Sequence, residues 1–472
     1  MLRGRLMIAG PITSAALAES LAVEESRIDA ALLTLEGEGV VLRGRFGPGA
    51  SRRQPAAVRD MTQPDPGSRN PDPGTDSSIE WCDRSQLARI HRYTLNRLRA
   101  EIEPVSPADF MRFLFAWQHV GAPGLLTSIE GLREIISMLD GFELSASAWE
   151  RAVLPARMDR YESQFLDMLC LAGEVAWARV SAPAPDPGNP PRLVSATPVS
   201  LFLREHADAW QRLREDAAAA EGRQIDLPDH AKRVLEVLTT RGASFFNDIV
   251  NVSGLDADAV RQGVGALVAS GLATSDGFSG LRALVAASRT IPPVRDRRAH
   301  FAGRWTALRT PDGVDRDRDL ETLARTLLRR YGVVFRRVLT REPCLVPWRE
   351  LTRVYRRLEA RGEIRGGRFV TGMSGEQFAL PEAVERLREV RRMRPDGVLR
   401  TVSAADPLNL AGIVTAGDRI RVASRSRIVY RDGVPLAVRE GDVVRELTTI
   451  DPETAEKVAG ALKARALSAV NH

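Results

Sequence analysis

The chain has 472 residues, of which 44% are hydrophobic and 27% are charged, and its formal net charge at pH 7 is +6. At roughly 100–200 residues per domain this length exceeds one hydrophobic core and predicts about three to five domains. The composition excludes a transmembrane helix, because no apolar run approaches the ~18 residues that a membrane span requires. The three cysteines, Cys82, Cys170 and Cys344, are an odd and sparse set, which predicts a reducing cytoplasm with no disulfide framework and no four-cysteine zinc site.

A helix–glycine–hairpin pattern begins near the N-terminus. In its first copy, residues 14–21 predict a short helix, and Ile28, Leu32 and Leu35 follow at helical spacing. Gly39 then stands where a left-handed cap would end the helix, and the next residues alternate as in a short hairpin. These features are typical of a winged helix.

The same pattern recurs through the chain. Its leucine and glycine keep the spacing Leu-x-x-x-Gly in four copies, at Leu35 and Gly39, Leu169 and Gly173, Leu267 and Gly271, and Leu358 and Gly362. A repeated helix, glycine cap and hairpin predict tandem winged-helix modules. The predicted fold class is therefore mainly α (α+β), with tandem winged-helix modules followed by a small C-terminal β-barrel-like domain.

Breaks in composition set the predicted boundaries. The winged-helix modules are assigned to residues 1–46, 80–122, 123–180, 229–287 and 320–393, of which the second shows no visible wing. Residues 47–79 predict a disordered linker, because Pro, Gly, Ser and Arg dominate there, and residues 181–228 and 288–319 are also interpreted as linkers. From residue 394 to 472, short alternating runs and a final helix that begins at Asp451 predict the β-barrel-like domain.

The last predicted winged helix carries the densest basic surface of the sequence. Its third helix and wing contain Arg349, Arg353, Arg356, Arg357, Arg361, Arg365 and Arg368. Spacings of three and four place most of the helical arginines on one face, opposite Leu351, Val354 and Leu358. Since the third helix of a winged helix enters the DNA major groove, this face is the predicted phosphate contact. The alternative is a solvated face with Glu350 and Glu359 as local partners.

The meaning of the arginine content stays open at this point. Only three lysines occur, so arginine supplies nearly all the positive charge, and a GC-rich genome accounts for that preference as well as a nucleic-acid partner does. The third helix of the first module is acidic, which makes it poorly suited to enter the DNA major groove. We therefore expect some modules to bind DNA and others to pack against partners.

Sequence motifs for cofactors are missing. There is no Gly-x-x-x-x-Gly-Lys-Ser/Thr motif, which excludes a P-loop ATPase, and the six histidines have no metal-binding spacing. We therefore expect no cofactor in this chain. Asp406, with Asn409 nearby, is the one candidate for a catalytic carboxylate, and Gln377 is a second candidate. Turn formation by Asp406 and wing stabilisation by Gln377 are the structural alternatives.

Several longer strings resemble the C-terminal region of the bacterial large helicase-related (Lhr) proteins. These strings are residues 357–370, 374–381, 406–410, 429–434, 303–305, 81–83 and 109–113, and the resemblance extends from about residue 4 to residue 447. It implies an ATP-dependent DNA and RNA–DNA helicase linked to repair, whose motor lies upstream and whose C-terminal region forms a tetramer. It also implies a likeness to crosslink-unhooking DNA glycosylases and a uracil-DNA glycosylase activity.

Three hypotheses follow. The first is a nucleic-acid-binding and oligomerisation region of a DNA-repair helicase, located at the nucleoid, whose motor acts in cis or in trans and alone binds ATP and Mg²⁺. Because this sequence lacks the motor, we expect a fragment of a larger reading frame or a split gene. The second hypothesis is a DNA glycosylase for uracil or crosslinked bases, and the third is a tandem winged-helix transcription regulator.

Overall fold

The computed structural model describes residues 1–46, 79–100, 102–181, 191–220, 226–287, 303–309, 313, 315–343, 346–423 and 425–463. The predicted disordered linker at 47–79 therefore lies outside the described residues, except for its last position. The chain divides into two compact units, Met1–Glu101 and Ile102–His472. Within the described ranges, no helix has both the length and the apolar character needed to cross a membrane.

The first unit contains one winged-helix module. Its elements are α1 (Leu2–Leu6), β1 (Ile12–Thr13), α2 (Ser14–Leu21), α3 (Glu25–Gly37), β2 (Val41–Gly44), β3 (Glu80–Asp83) and α4 (Arg84–Ala100). Strand β3 lies between β1 and β2 and pairs antiparallel with both, so that Trp81 stands opposite Ile12 and Arg43. Leu6, Leu17 and Trp81 belong to its core.

The second unit begins with a helix, α5 (Pro107–Trp117), and a further winged-helix module. The elements of this module are α6 (Ser128–Met138), β4 (Glu143–Ser145), α7 (Ala146–Ala148), a π-helical turn (Trp149–Val153), α8 (Ser163–Leu171), β5 (Val175–Ala178) and β6 (Pro198–Leu203). Its sheet has the order β4-β6-β5. A 3₁₀ turn (Arg204–His206) and α9 (Ala207–Ala220) follow.

Two more modules repeat this arrangement. The third consists of α10 (Asp229–Arg241), β7 (Ser244–Phe245), α11 (Phe246–Ser253), α12 (Ala257–Ala269), β8 (Ala273–Ser275), α13 (Phe278–Ala287) and β9 (Arg304–Ala307). The fourth consists of α14 (Arg316–Tyr331), β10 (Val333–Phe335), a 3₁₀ turn (Val338–Arg341), α15 (Trp348–Ala360), β11 (Arg365–Gly367), β12 (Gln377–Ala379) and α16 (Pro381–Arg392). In both sheets the last strand again lies in the middle.

These sheets correct several predicted boundaries. Strand β3 belongs to the first module, although it lies in the range 80–122 that was assigned to a second winged helix. Strands β6 and β9 complete the sheets of their modules, although both lie in ranges interpreted as linkers. Helix α5 forms no separate winged helix and instead packs against α16. Residues 47–79, 181–197 and 288–303 lie in sequence between strands that pair in one sheet, and added length between paired strands costs little loop-closure entropy.

The repeated glycines end the third helix of every module, as predicted. Gly39, Gly173, Gly271 and Gly362 have φ values of 70°, 76°, 69° and 76°. In the first copy, the Gly39 N–H donates to the Glu36 carbonyl and the next N–H donates to the Leu35 carbonyl, at 2.8 and 2.9 Å. The other three copies make the equivalent two bonds. This pair of bonds is the Schellman motif, in which the left-handed residue is usually glycine.

The C-terminal part is an antiparallel meander of β13 (Leu399–Ser403), β14 (Arg427–Arg431), β15 (Val434–Glu440) and β16 (Val443–Glu446), followed by α17 (Pro452–Lys463). On one face Ile428 and Tyr430 join the main core, and on the other Val429 packs with Val458 and Leu462 of α17. Within the described part of the chain, β13 and β16 do not pair with each other. The predicted barrel is thus an open sheet, and the mainly α fold with a β C-terminal part is confirmed.

Candidate nucleic-acid interface

Helix α15 is held by a mainly apolar buried face. Leu351, Val354, Tyr355 and Leu358 are buried, and the Tyr355 hydroxyl donates to the Ala324 carbonyl of α14 at 3.2 Å. Burying these side chains stabilises the fold by about 25 cal/mol for each Å² of apolar surface that is removed from water. This packing fixes the rotation of the helix and turns the opposite face to solvent.

All seven predicted arginines are exposed. Arg349, Arg353, Arg356 and Arg357 lie on the outer face of α15, and the other three follow at the end of the helix and on the wing, namely Arg361, Arg365 and Arg368. Arg356 bonds to Glu376 at 2.8 Å, which ties the helix to the loop between β11 and β12. The structure therefore brings the predicted set together on one module.

Three of the seven arginines have carboxylate partners, but not the predicted ones. Besides the Arg356 pair, Arg357 contacts Asp317 at 3.0 Å, and Arg361 contacts Glu321 at 3.0 Å and Glu363 at 2.8 Å. Hydrogen bonding from Arg357 lowers the pKa of Asp317.

The expected partners Glu350 and Glu359 are engaged elsewhere. Glu350 pairs with Arg316 at 3.0 Å, and Glu359 accepts a hydrogen bond from the Gly366 N–H at 3.0 Å. Their predicted role as local partners of the arginine face is therefore corrected.

The remaining four arginines form a cationic surface. No carboxylate among the described residues lies within ion-pair distance of Arg349, Arg353, Arg365 or Arg368. Exposed ion pairs contribute only about 0–1 kcal/mol each, so a phosphate can also replace the carboxylates of the three paired arginines at small cost. The surface can thus offer up to seven guanidinium groups to a polyanion.

The equivalent helices of the other modules lack such a face. Helix α3 exposes Leu33 beside acidic residues, and α8 contains neither Arg nor Lys and exposes Met168 and Leu171. In α12 every residue from 263 to 269 is buried. Among the four third helices, α15 alone therefore combines exposure with a cluster of cations.

Asp406 occupies a buried ion pair. Its side chain is 0% exposed, and Arg157 donates to both carboxylate oxygens at 2.7 and 2.9 Å. The same carboxylate accepts from the Leu408 N–H at 2.9 Å, and the Asn409 amide donates to the backbone carbonyls of Ala404 and Ile420. Hydrogen bonds from Asp and Asn side chains to nearby backbone groups are typical of turns. A carboxylate with no exposure is not placed to meet a flipped base, so the geometry supports the turn and not the catalytic interpretation.

Gln377 stabilises the wing of the fourth module. Its fully buried amide accepts from the N–H groups of Phe369 and Val370 at 2.9 Å and donates to the carbonyls of Val370 and Met373. All of these partners are backbone groups of the wing. The geometry therefore favours wing stabilisation over catalysis.

A buried polar cluster was missed from the sequence. The guanidinium groups of Arg330 and Arg341 lie 5.1 and 5.2 Å from the centre of the Phe142 ring, and Arg330 pairs with Glu342. The Tyr331 hydroxyl donates to the same glutamate at 2.6 Å. Since Phe142 lies in the second module and the arginines in the fourth, the cluster joins two modules. No sequence signal connects positions so far apart.

The described residues contain no group of three or more His, Cys, Asp or Glu side chains that could hold a metal ion.

Comparisons with known proteins identify the modules. Residues 105–194 and 313–399 each match a family model described as "Large helicase-related protein, winged-helix domain". The first range runs from α5 through β5 of the second module, and the second range contains the whole fourth module.

Two curated relatives extend the match. The "Lhr helicase/ probable uracil glycosylase" of Mycolicibacterium smegmatis is 31% identical over 71% of this chain, and the "Lhr helicase/uracil glycosylase" of Escherichia coli is 28% identical over 70%. The matched region spans 23% of each relative's length. Among solved structures, the Streptomyces sahachiroi DNA glycosylase AlkZ has a TM-score of 0.44 and 14% identity, over 77% of this chain and 97% of that protein.

Proposed function

The chain belongs to the large helicase-related (Lhr) family, and we propose that it forms a nucleic-acid-binding and oligomerisation region of a DNA-repair helicase. One observation carries the binding part of this proposal: the seven exposed arginines of α15 and its wing, four of which have no carboxylate partner in the described part of the chain. Nucleic acid, either DNA or an RNA–DNA hybrid, is the polyanion that such a surface suits.

The physical basis is release of counterions. Each phosphate that the protein neutralises adds about −0.9 to the slope of log K against log salt for duplex DNA. If only the four unpaired arginines made contact, we would expect a slope of about −3.6. Arginine suits this task because its planar fork binds phosphate oxygens in pairs.

The test is fluorescence anisotropy of the full chain with a labelled duplex across a salt series. The variant Arg349→Ala/Arg353→Ala should weaken binding at every sequence and reduce the slope by about 1.8, which corresponds to two phosphate contacts. Arg160→Ala/Arg233→Ala is the matched control, because it removes two exposed arginines from other modules. Equal losses in both variants would refute a localised binding surface.

The partners follow from the same proposal. The motor domains, in cis or in trans, would supply ATP and Mg²⁺ binding, since the 472 residues contain no P-loop motif. The chain would act at the nucleoid as a homo-oligomer, with a tetramer as the expected state. Light scattering on the purified chain tests this part, and a monomer at all concentrations would contradict it.

A second candidate function is uracil-DNA glycosylase activity. Its support is that both curated relatives carry uracil glycosylase in their descriptions. Incubation of the chain with a uracil-containing duplex, followed by alkaline cleavage at abasic sites, tests it. The third hypothesis, a transcription regulator, loses support because the exposed positions of α15 contain no Asn or Gln for base readout.

A further inference from the structure

Helix α4 of the first unit is basic along its whole length. Its 17 residues contain five arginines and one histidine and no aspartate or glutamate. The helix follows strand β3 directly and rises about 25 Å at 1.5 Å per residue.

The described side chains of α4 place cations beside an aromatic ring. Arg89 and Arg92 are exposed at a spacing of three, so they share a face, and Tyr93 next to them is 68% exposed. Within the part of the unit that the structure describes, neither arginine has a carboxylate at ion-pair distance. Gln86, in the first turns, bonds to the Met7 carbonyl and anchors the helix to its module.

We infer that the exposed face of α4 formed by Arg89, Arg92 and Tyr93 binds single-stranded nucleic acid. The two guanidinium groups neutralise backbone phosphates, and the tyrosine ring stacks on a base. Stacking of this kind is available to unpaired bases and not to bases inside a duplex. This face belongs to the first unit and the α15 surface to the second, so the chain would bind an unpaired strand and a duplex through different residues.

The test uses the full chain with a fluorescein-labelled oligothymidylate and, in parallel, a labelled duplex. Arg89→Ala/Arg92→Ala should weaken oligothymidylate binding and reduce its salt slope by about 1.4, at about 0.7 per phosphate of a single strand. Tyr93→Ala should weaken oligothymidylate binding about fivefold or more and leave duplex binding unchanged. Thr94→Ala, an exposed uncharged position on the same helix, is the matched control and should change neither.

A charge-preserving variant separates binding from folding. Arg89→Lys/Arg92→Lys should retain the wild-type salt slope. The alanine pair should keep the helix, since alanine has the highest helix propensity, but should show the slope reduced by about 1.4. A wild-type slope in the alanine pair overturns the inference. So does an altered oligomeric state with unchanged oligothymidylate affinity, because the face would then bind protein. Loss of duplex binding in the α15 variant alone tests the proposed function separately.

Discussion

Replacing Asp406 by asparagine should destabilise the second unit by about 3–5 kcal/mol, because it leaves the Arg157 guanidinium buried without a counter-charge. In the structure Arg157 makes four side-chain hydrogen bonds, two to Asp406 and one each to Gln118 and the Val153 carbonyl. Its Nε already has no partner. Hydrogen bonds to charged groups contribute about 1.5–3 kcal/mol each, so weakening two of them agrees with this range.

The assay is urea unfolding followed by tryptophan fluorescence. Asp442→Ala, a fully exposed aspartate in the same β-domain, is the control and should cost less than about 0.5 kcal/mol. Arg157→Met combined with Asp406→Leu should recover much of the loss, because an apolar pair carries no buried charge. An Asp406→Asn protein with the wild-type urea midpoint would refute this reasoning. If that protein also lost glycosylase activity, a catalytic role for the carboxylate would regain support.

Three further predictions concern the repeats, the wing and the start of the C-terminal sheet. Gly271→Ala should cost about 2 kcal/mol or more, because a Cβ there would lie 2.7 Å from a backbone carbonyl, whereas Gly173→Ala meets no atom within 4 Å and should cost about 1 kcal/mol; chemical denaturation compares them. Gln377→Ala should leave two buried N–H groups unpaired and speed amide exchange in the wing. Hydrogen bonding from Arg400 lowers the pKa of Asp396 to about 2, so its small stabilisation is present above the ordinary aspartate range and is lost as pH falls towards 2; Arg400→Gln should raise this pKa in an NMR titration.

The repeats could be predicted because their signal is local. A Schellman cap needs a residue with positive φ at a fixed distance from the last buried leucine, and glycine takes that conformation without strain. Leu35 and Gly39, or Leu358 and Gly362, therefore reveal a helix end within five residues of sequence. Apolar and polar residues alternate after the glycine, and this pattern predicts the second strand of each sheet because it is also local in sequence.

The third strands could not be predicted in this way. Their partners are distant in sequence, and the intervening residues have the composition of a linker. Strand β3, for example, is separated from β2 by 35 residues of linker-like composition, and β9 follows β8 after an inserted helix, α13. A strand that is short and flanked by loop sequence carries no local sign of the sheet it completes, so boundaries drawn at composition breaks divide the modules.

The candidate site shows the same division between local and distant information. Helical periodicity places the exposed face of α15, because Leu351 and Leu358 fix which side is buried. The ion-pair partners Asp317 and Glu321 lie on α14, 40 residues earlier in the chain, and no spacing rule identifies them. Asp406 and Arg157 are 249 residues apart in sequence, so no sequence motif indicates that they form a buried ion pair.

The structure shows that the arginines differ in their surroundings. Arg157 and Arg330 are buried inside the second unit, where a charged side chain is stable only with specific partners, and they add nothing to the field outside the protein. The seven arginines of α15 and its wing are exposed, as are Arg89 and Arg92 of α4, and six of these nine have no carboxylate at ion-pair distance in the described chain. Other helices also carry several arginines, among them α14 and α16, so a genome preference for Arg over Lys still accounts for the arginine content as a whole. The proposed polyanion accounts for the exposed arginines of α15 and α4 that have no carboxylate beside them.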